Sequence, residues 1–151
     1  MRVERWSGGN LPETAARVLR DALHELGELD DELSASLDLA ASETSLTFIA
    51  SDDGLRAVGV LIAAPEPRIR SAFVRWLVVA PDARRGGVAT ALLDALAATP
   101  GLEGLTGMVD QEDPTALGFW RDRGWTVRRP RPGRRRLLMS VDLPEVTSEA
   151  A

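Results

Sequence analysis

The 151-residue chain contains no cysteine and no lysine, and its only histidine is His24. Without cysteine it can form neither a disulfide framework nor a thiolate zinc site, and it has no thiol nucleophile. A single histidine rules out a metal site built from several imidazoles, so we expect no metal. The absence of lysine excludes the lysine-containing phosphate loop of nucleoside triphosphatases and excludes Schiff-base catalysis.

The chain also lacks an apolar run of about 18 residues, and its N-terminus carries no signal-peptide pattern. We therefore expect a cytoplasmic protein with no membrane partner. The length of 151 residues and the apolar content of 44% suit one domain with its own core. We place that domain at residues 1–144 and expect residues 145–151 to form a disordered tail.

Charge is unevenly distributed along the chain, whose formal net charge is −5. Ten carboxylates and no arginine lie in residues 21–55, whereas residues 121–136 contain eight arginines and one aspartate. The negative net charge argues against a nucleic-acid partner, although the arginines of residues 128–136 could bind phosphate. Because prolines and a glycine predict a hairpin turn there, these arginines could instead face acidic helices of a neighbour or line a homodimer contact.

Hydrophobic periodicity predicts the element order β-α-α-β-β-β-α-β-α-β-β. Helices are predicted at residues 11–27, 29–43, 84–101 and 114–125. Strands are predicted at residues 2–6, 46–51, 56–65, 70–81, 104–110, 126–129 and 135–143. The apolar faces of the first two helices include Leu19, Leu23 and Leu26, then Leu29, Leu33 and Leu37. This order predicts an α/β (α+β) fold with a mixed, mostly antiparallel sheet of six to seven strands flanked by four helices.

Two adjacent arginines and two adjacent glycines, Arg84 to Gly87, stand between a buried strand and the third predicted helix. The first amides of a helix lack internal partners and carry partial positive charge, so a helix start can hold an anion. Glycine lets the anion approach the backbone, and arginine adds charge, which favours a ligand that carries phosphate. The alternative is an ordinary solvated helix start. The G-x-G-x-x-G fingerprint of dinucleotide-binding folds is absent.

Two motifs resemble those of the GNAT superfamily of acyl-CoA-dependent N-acetyltransferases. Arg84-x-x-Gly87-x-Ala89 resembles the family's (Q/R)-x-x-G-x-(G/A) signature, and residues 77–81 look like the strand that precedes it. Residues 113–125 resemble the N-x-x-A-x-x-F-Y-x-x-x-G-F segment. The positions that align in this second motif are Ala116, Phe119, Gly124 and Trp125. The predicted element order matches as well, so the resemblance spans roughly residues 2–143.

The resemblance implies acetyl-CoA as acyl donor and a single GNAT-like domain. It implies that backbone groups of Leu77, Val78 and Val79 pair with the pantetheine arm of the coenzyme. It implies that the fourth and fifth strands splay apart to admit the thioester, and that the Val79 amide stabilises the oxyanion. It also implies that amides at the start of the third helix hold the pyrophosphate. The coenzyme-binding residues implied in this way are Leu77, Val78, Val79, Arg84, Arg85, Gly86, Gly87, Val88, Ala89, Thr90, Asp113 and Trp120.

The chain departs from the family pattern at two positions. Trp120 stands where the family often has a tyrosine acid, and the chain contains no tyrosine. An indole N–H donates a hydrogen bond but does not release its proton at neutral pH. Asp113 stands where the family has asparagine. A thiolate leaves readily, since a simple thiol has a pKa of about 8.5, so transfer without an acid remains feasible.

Candidates for the remaining roles follow from position and charge. We assign Asp110 as the general base, with Glu112 in reserve; the alternative for Asp110 is a turn residue. His24 has a suitable intrinsic pKa but stands on a helix, where a solvent-facing side chain is the alternative. The resemblance places the acceptor between the first two helices and the last hairpin. On the helices, Glu28, Asp31 and Glu32 would attract a cationic amine. A solvated acidic face is the alternative explanation for these residues.

The sequence therefore predicts transfer of an acetyl group from acetyl-CoA to a primary amine of a cationic small molecule or peptide. The amine would attack the thioester directly, through a tetrahedral intermediate. The alternative is an acyl-CoA-binding module with little or no catalysis that acts through a protein partner.

Overall fold

The computed structural model describes residues 1–28, 30–129 and 132–144. The tail expected at residues 145–151 and the predicted helix position of Leu29 lie outside these ranges. No helix in the described part of the chain has the length and apolar character needed to cross a membrane.

Within the described ranges, eleven helices and strands follow one another in the predicted order, so the predicted fold class is confirmed. The seven strands are β1 (Arg2–Trp6), β2 (Leu46–Ser51), β3 (Ala57–Glu66), β4 (Ser71–Val79), β5 (Gly104–Asp110), β6 (Thr126–Val127) and β7 (Arg136–Asp142). The four helices are α1 (Glu13–Glu25), α2 (Asp30–Ala41), α3 (Val88–Ala97) and α4 (Pro114–Asp122). All seven strands form one sheet in the order β1-β2-β3-β4-β5-β7-β6.

The sheet separates two apolar cores. On one face, α1 and α2 cover β3 and part of β4, with Leu19 and Leu23 fully buried. On the other face, α3 and α4 enclose a larger core that contains Leu92, Leu96 and Trp120. The central strands are apolar on both sides because both of their faces are covered by helices.

Two boundaries differ from the prediction in ways that affect the site. The third helix begins at Val88, four residues later than predicted, because Arg85 and Gly87 both adopt left-handed backbone conformations, with φ of 69° and 78°. A left-handed residue cannot continue a right-handed helix, so residues 84–87 form a loop instead. The first helix ends at Glu25, and Leu26 turns out of its apolar face to become 60% exposed.

The parallel ladder between β4 and β5 stops halfway along both strands. The two strands pair from Ser71 and Gly104 to Val74 and Gly107, and no further. Beyond this point β4 remains paired with β3, and β5 remains paired with β7. Arg75 is an extra residue in β4, since Val74 and Trp76 face consecutive residues of β3. A bulge of this kind bends and twists its strand, which accounts for the divergence of β4 from β5.

Four hydrogen-bonded residues connect α2 to the bulged part of β4, and we call them the Glu32 cluster. They are Glu32 and Ser36 of α2 and Arg75 and Trp76 of β4. Arg75 donates two bonds to the Glu32 carboxylate, at 3.1 and 2.9 Å. The Trp76 indole donates to Glu32 at 3.0 Å and to the buried Ser36 hydroxyl at 2.9 Å. Burial raises the pKa of Glu32, but the bonds from Trp76, Arg75 and Ser36 and the Arg75 charge outweigh it, so the pKa lies below the ordinary value of 4.5.

Close contact between α3 and β3 predicts that Gly59→Ala is destabilising. A Cβ at Gly59 would lie 2.6 Å from Val88 Cγ1 and 3.0 Å from Leu92 Cδ1. Overpacking of this kind costs about 1–3 kcal/mol, which denaturant unfolding measures. Gly118→Ala in α4 is the matched control, because its Cβ would meet nothing within 4 Å. This control should be neutral or stabilising by up to about 1 kcal/mol, and an equal loss in both variants would contradict the packing account.

The Glu32 cluster predicts that Glu32→Gln lowers the free energy of unfolding by about 1–2 kcal/mol at neutral pH, allowing for partial exposure of Arg75. Because the folded-state pKa of Glu32 is lowered, its contribution is complete above the unfolded value of 4.5 and is lost as the pH falls through the folded value. The difference in the free energy of unfolding between wild type and Glu32→Gln should therefore become smaller at acidic pH.

Asp31→Asn is the control for this measurement, because it removes the same charge from the same helical turn. The control should lose less stability than Glu32→Gln. An equal loss in the two variants at every pH would show that the cluster contributes nothing specific.

Candidate active site

The gap between β4 and β5 exposes one edge of β4. The Ala80 amide donates to the Val58 carbonyl at 2.8 Å, so the backbone of Ala80 faces β3. Backbone groups alternate along a strand, so those of Val78 also face β3, and those of Leu77 and Val79 face the gap. Two of the three predicted β4 residues therefore direct their backbone groups into the gap, where the Val79 carbonyl accepts a hydrogen bond from Arg84 Nε at 3.4 Å. The backbone of Val78 is directed to β3, which corrects its predicted pairing with the pantetheine arm, although Val78 still lines the gap.

The loop that follows β4 leads into a row of unpaired amides. Among the residues that the structure describes, none of the amides from Arg85 to Thr90 has a hydrogen-bond partner, and the first bond of α3 runs from the Ala91 amide to the Gly87 carbonyl. The residues of this row are Arg85, Gly86, Gly87, Val88, Ala89 and Thr90, the six that the sequence predicts. Successive free N–H groups at a helix start can hold a phosphate group, and Gly87 adopts its φ of 78° without strain.

Arg84 joins the loop to both neighbouring elements. Its Nε lies 3.4 Å from the Val79 carbonyl oxygen, and its Nη2 lies 3.3 Å from Glu25 at the end of α1. The guanidinium is half exposed, at 50%. A positive charge thus lies where the open edge of β4 meets the row of free amides, as the signature position predicts.

Arg123 is a second arginine at this end of α3, and the sequence analysis did not identify it. Its guanidinium lies 3.7 Å from the centre of the Phe119 ring and donates to the Thr90 hydroxyl. It also donates to the Phe119 carbonyl at 3.2 Å. Since Arg123 is the fourth residue after Phe119, helical spacing alone could have indicated the contact with the ring. The contact with Thr90 depends on how α3 and α4 pack.

Two clefts meet in the gap. One has a volume of about 440 Å³ and contains the Arg84 end of the site, so we call it the donor cleft. The other, of about 500 Å³, opens toward α2 and β7, and we call it the acceptor cleft. Both clefts are lined by Leu26, Leu77, Val78, Asp113, Ala116 and Trp120. A donor and an acceptor in the two clefts would therefore meet beside the free edge of β4.

Trp120 lies where the two clefts meet and is 9% exposed. Its ring packs edge-on against Phe119, with centroids 5.0 Å apart, and against Trp125, at 4.7 Å. Among the described residues its indole N–H has no hydrogen-bond partner. Trp120 is therefore a core residue with one face on the site, and it can donate a hydrogen bond but not a proton.

The surroundings of Asp110 oppose the predicted role of general base. The backbone N–H of Glu112 donates to Asp110 at 2.8 Å, and Arg135 Nε donates to the other oxygen at 2.8 Å. The Glu112 bond, followed by the Arg135 bond and the charges of Arg135 and Arg136, holds the pKa of Asp110 below its usual value. Both oxygens of Asp110 thus already accept hydrogen bonds, and its role as general base stays a prediction.

Asp113 caps the N-terminus of α4. Its carboxylate accepts a hydrogen bond from the Ala116 amide at 3.0 Å, which satisfies one free donor of that helix. The carboxylate therefore has a structural role that is compatible with lining both clefts. The reserve base Glu112 is exposed. His24 is also exposed and lies 3.7 Å from Asp30, outside both clefts.

The acidic surface that was predicted to attract a cationic acceptor is largely neutralised. Glu32 is held by Arg75 in the Glu32 cluster, and Glu28 accepts a hydrogen bond from Arg136. Asp31 is exposed and does not line the acceptor cleft. The prediction of a cationic acceptor therefore loses its basis, because two of its three carboxylates are already paired with arginines.

The fold and both motifs can be compared with known proteins. A family profile described as "Acetyltransferase (GNAT) domain" matches residues 43–127, which is more than half of the chain. No curated protein matches the chain by sequence.

Solved acetyltransferase structures share the fold. Aminoglycoside 6'-acetyltransferase type Ii has a TM-score of 0.77 and 19% identity, over 96% of this chain and 99% of that one. The ribosomal-protein-S18-alanine N-acetyltransferase of Escherichia coli has a TM-score of 0.65 and 19% identity, over 98% of both chains. Nourseothricin acetyltransferase has a TM-score of 0.58 and 25% identity, over 67% of this chain and 66% of that one. With the family profile and the two motifs, these likenesses lead to one conclusion: the chain belongs to the GNAT acetyltransferase family and is a transferase.

Proposed function

We propose that the chain transfers the acetyl group of acetyl-CoA to the primary amine of a small molecule or peptide. The observation that carries this proposal is the continuity between the free edge of β4 and the six free amides at the start of α3. An extended amide-bearing arm that ends in a pyrophosphate matches this arrangement. The arm can add to an open strand edge, and its phosphates can accept hydrogen bonds from the helix amides.

Each part of the donor site has a separate task in this proposal. The backbone groups of Leu77 and the carbonyl of Val79 hold the pantetheine arm, and the amides from Arg85 to Thr90 hold the pyrophosphate. Arg84 and Arg123 add positive charge on either side of the loop. Phe119 and Ala89 give the donor cleft its apolar walls.

The chemistry needs little from the protein beyond positioning. Bound acetyl-CoA supplies a thioester with a good leaving group. A neutral amine from the acceptor cleft forms the new C–N bond, the C–S bond breaks, and the amine gives its extra proton to water. The Val79 amide would donate to the oxyanion of the tetrahedral intermediate, and the Trp120 indole N–H is available to the departing sulfur. Water is the base in this proposal, because both oxygens of Asp110 already accept hydrogen bonds, from the Glu112 amide and from Arg135.

Membership of the acetyltransferase family supports an amine as the acceptor. Two of the structural neighbours are named for acetyl transfer to nourseothricin and to aminoglycosides, and a third for N-acetylation of an alanine of a ribosomal protein. The fold therefore accommodates both small-molecule and protein acceptors. The residues of the acceptor cleft must decide between them in this chain.

Binding of acyl-CoA without transfer is the second candidate, and the lack of any tyrosine favours it. In this case acetyl-CoA would bind in the donor cleft, and no amine would release the thiol. The two candidates share the donor site and differ only in turnover.

The proposed function predicts that a thiol-release assay detects amine-dependent cleavage of acetyl-CoA and that Gly87→Trp abolishes it. An indole at position 87 would cover the free amides. Gly101→Trp is the matched control, because Gly101 has a similar φ of 86° and open space around it, in a turn outside both clefts. This control should lose stability through backbone strain but should keep the KM for acetyl-CoA.

Two results would contradict the proposal in different ways. Tight acetyl-CoA binding with no thiol release across a broad panel of amines would favour the binding module. Full activity of Gly87→Trp would show that the loop does not hold the coenzyme.

A further inference from the structure

Three ion pairs border the acceptor cleft, and each joins a carboxylate to an arginine from a different element. Arg75 pairs with Glu32 at 2.9 Å, Arg135 pairs with Asp110 at 2.8 Å, and Arg136 pairs with Glu28. All six residues line the cleft. The charge that an acceptor meets therefore depends on which partner of each pair faces outward.

In the two pairs at the β7 side, the arginines face outward. The side chains of Arg135 and Arg136 are 74% and 55% exposed, whereas those of Asp110 and Glu28 are 30% and 23% exposed. A ligand that enters from solvent thus reaches the guanidinium groups first. The outermost charges on the β7 side of the cleft are therefore positive, although the exposed Asp113 carboxylate lines the cleft beside α4 and the protein as a whole is negative.

Hydrogen-bonding capacity supports the same conclusion. Glu32 already accepts four bonds, from Arg75 twice, from Trp76 and from Ser36. A guanidinium has five N–H donors, and the bonds to Asp110 and Glu28 engage one donor each from Arg135 and Arg136. On the β7 side an ammonium group would have to compete with an arginine for its carboxylate, whereas Asp113, which caps α4, is the cleft carboxylate that no described arginine pairs with. An anionic group can bind the outer donors and leave both pairs intact.

Two of the few large apolar side chains that are exposed also border this cleft. Leu26 is 60% exposed and Met108 is 40% exposed. Leu26 leaves the apolar face of α1 to reach this position, and Met108 lies on β5 beside the gap. Both side chains are available to contact an apolar part of a ligand in this cleft.

We propose that the acceptor is a primary amine with an apolar body and an anionic group at its far end. Arg135 and Arg136 bind the anionic group, and Leu26 and Met108 contact the body. The amine then lies where the two clefts meet, beside Leu77 and Trp120. This inference rests on the proposed amine acetylation and specifies the acceptor for the same site.

A matched set of acceptors tests the inference. 5-Aminopentanoate, pentylamine and 1,5-diaminopentane have the same chain length and similar amine basicity, and their far ends are anionic, neutral and cationic. A phosphonate analogue of the first compound distinguishes carboxylate from phosphate chemistry. We expect kcat/KM in the thiol-release assay to be highest for an anionic acceptor, by about fivefold over pentylamine. Added salt should reduce this preference, because the arginines are exposed.

The double variant Arg135→Gln/Arg136→Gln should reduce the ratio of kcat/KM for 5-aminopentanoate to that for pentylamine by about fivefold. It should raise the ratio of kcat/KM for 1,5-diaminopentane to that for pentylamine, because Asp110 and Glu28 have then lost their arginine partners. Arg68→Gln is the control, since Arg68 is an exposed arginine in the turn before β4, outside the acceptor cleft. This control should leave both ratios unchanged.

The outcomes separate this inference from the proposed function. Preference for 1,5-diaminopentane, or an unchanged ratio in the double variant, would overturn the anionic-acceptor proposal while acetyl transfer stands. Should no amine release thiol, calorimetric titration with the same three compounds in the presence of CoA still reports on the cleft. Preferential binding of 5-aminopentanoate there would support the recognition proposal and leave the transfer step refuted. Equal or absent binding of all three compounds would overturn both the anionic-acceptor proposal and the proposed acetyl transfer.

Discussion

The termination of the β4–β5 ladder after Val74 and Gly107 is the constraint on which the rest of the site depends. A parallel pair that continued to the ends of both strands would use the backbone groups of Leu77 and Val79 and would close the clefts. The extra residue at Arg75 turns β4 away from β5, while β3 and β7 keep the outer edges paired. The cost of the missing hydrogen bonds is thus confined to a short stretch, and that stretch is the proposed coenzyme site.

The Glu32 cluster connects this opening to the helical layer on the other side of β4. Arg75 and Trp76, the two residues at the bulge, both donate to Glu32, and the buried Ser36 completes the cluster. The same carboxylate that was expected to attract substrate therefore holds the strand in position. The ion pairs at the site differ in which partner faces solvent. Arg75 and Glu32 are both partly buried, whereas Arg135 and Arg136 are more exposed than the carboxylates that they pair with.

Local patterns in the sequence were sufficient for the order of the elements and for the loop that follows β4. Periodicity placed β5 at its observed bounds, and the (Q/R)-x-x-G-x-(G/A) resemblance located the six free amides. The late start of α3 could not be predicted, because arginine seldom adopts the left-handed conformation seen at Arg85. The pairing of Glu28 with Arg136 and of Glu32 with Arg75 could not be predicted either, since each joins residues distant in sequence. The segregated charges of the sequence become neighbours only in the folded chain.

The central claim is that the open edge of β4 and the amides at the start of α3 form one continuous coenzyme site. Amide chemical-shift mapping of the labelled protein during titration with acetyl-CoA tests it most directly. The account predicts that the largest shifts fall on Leu77, Val79 and the amides from Arg85 to Thr90, with small changes in β1 and β2. Saturable binding with the largest shifts elsewhere, and none at these amides, would contradict it.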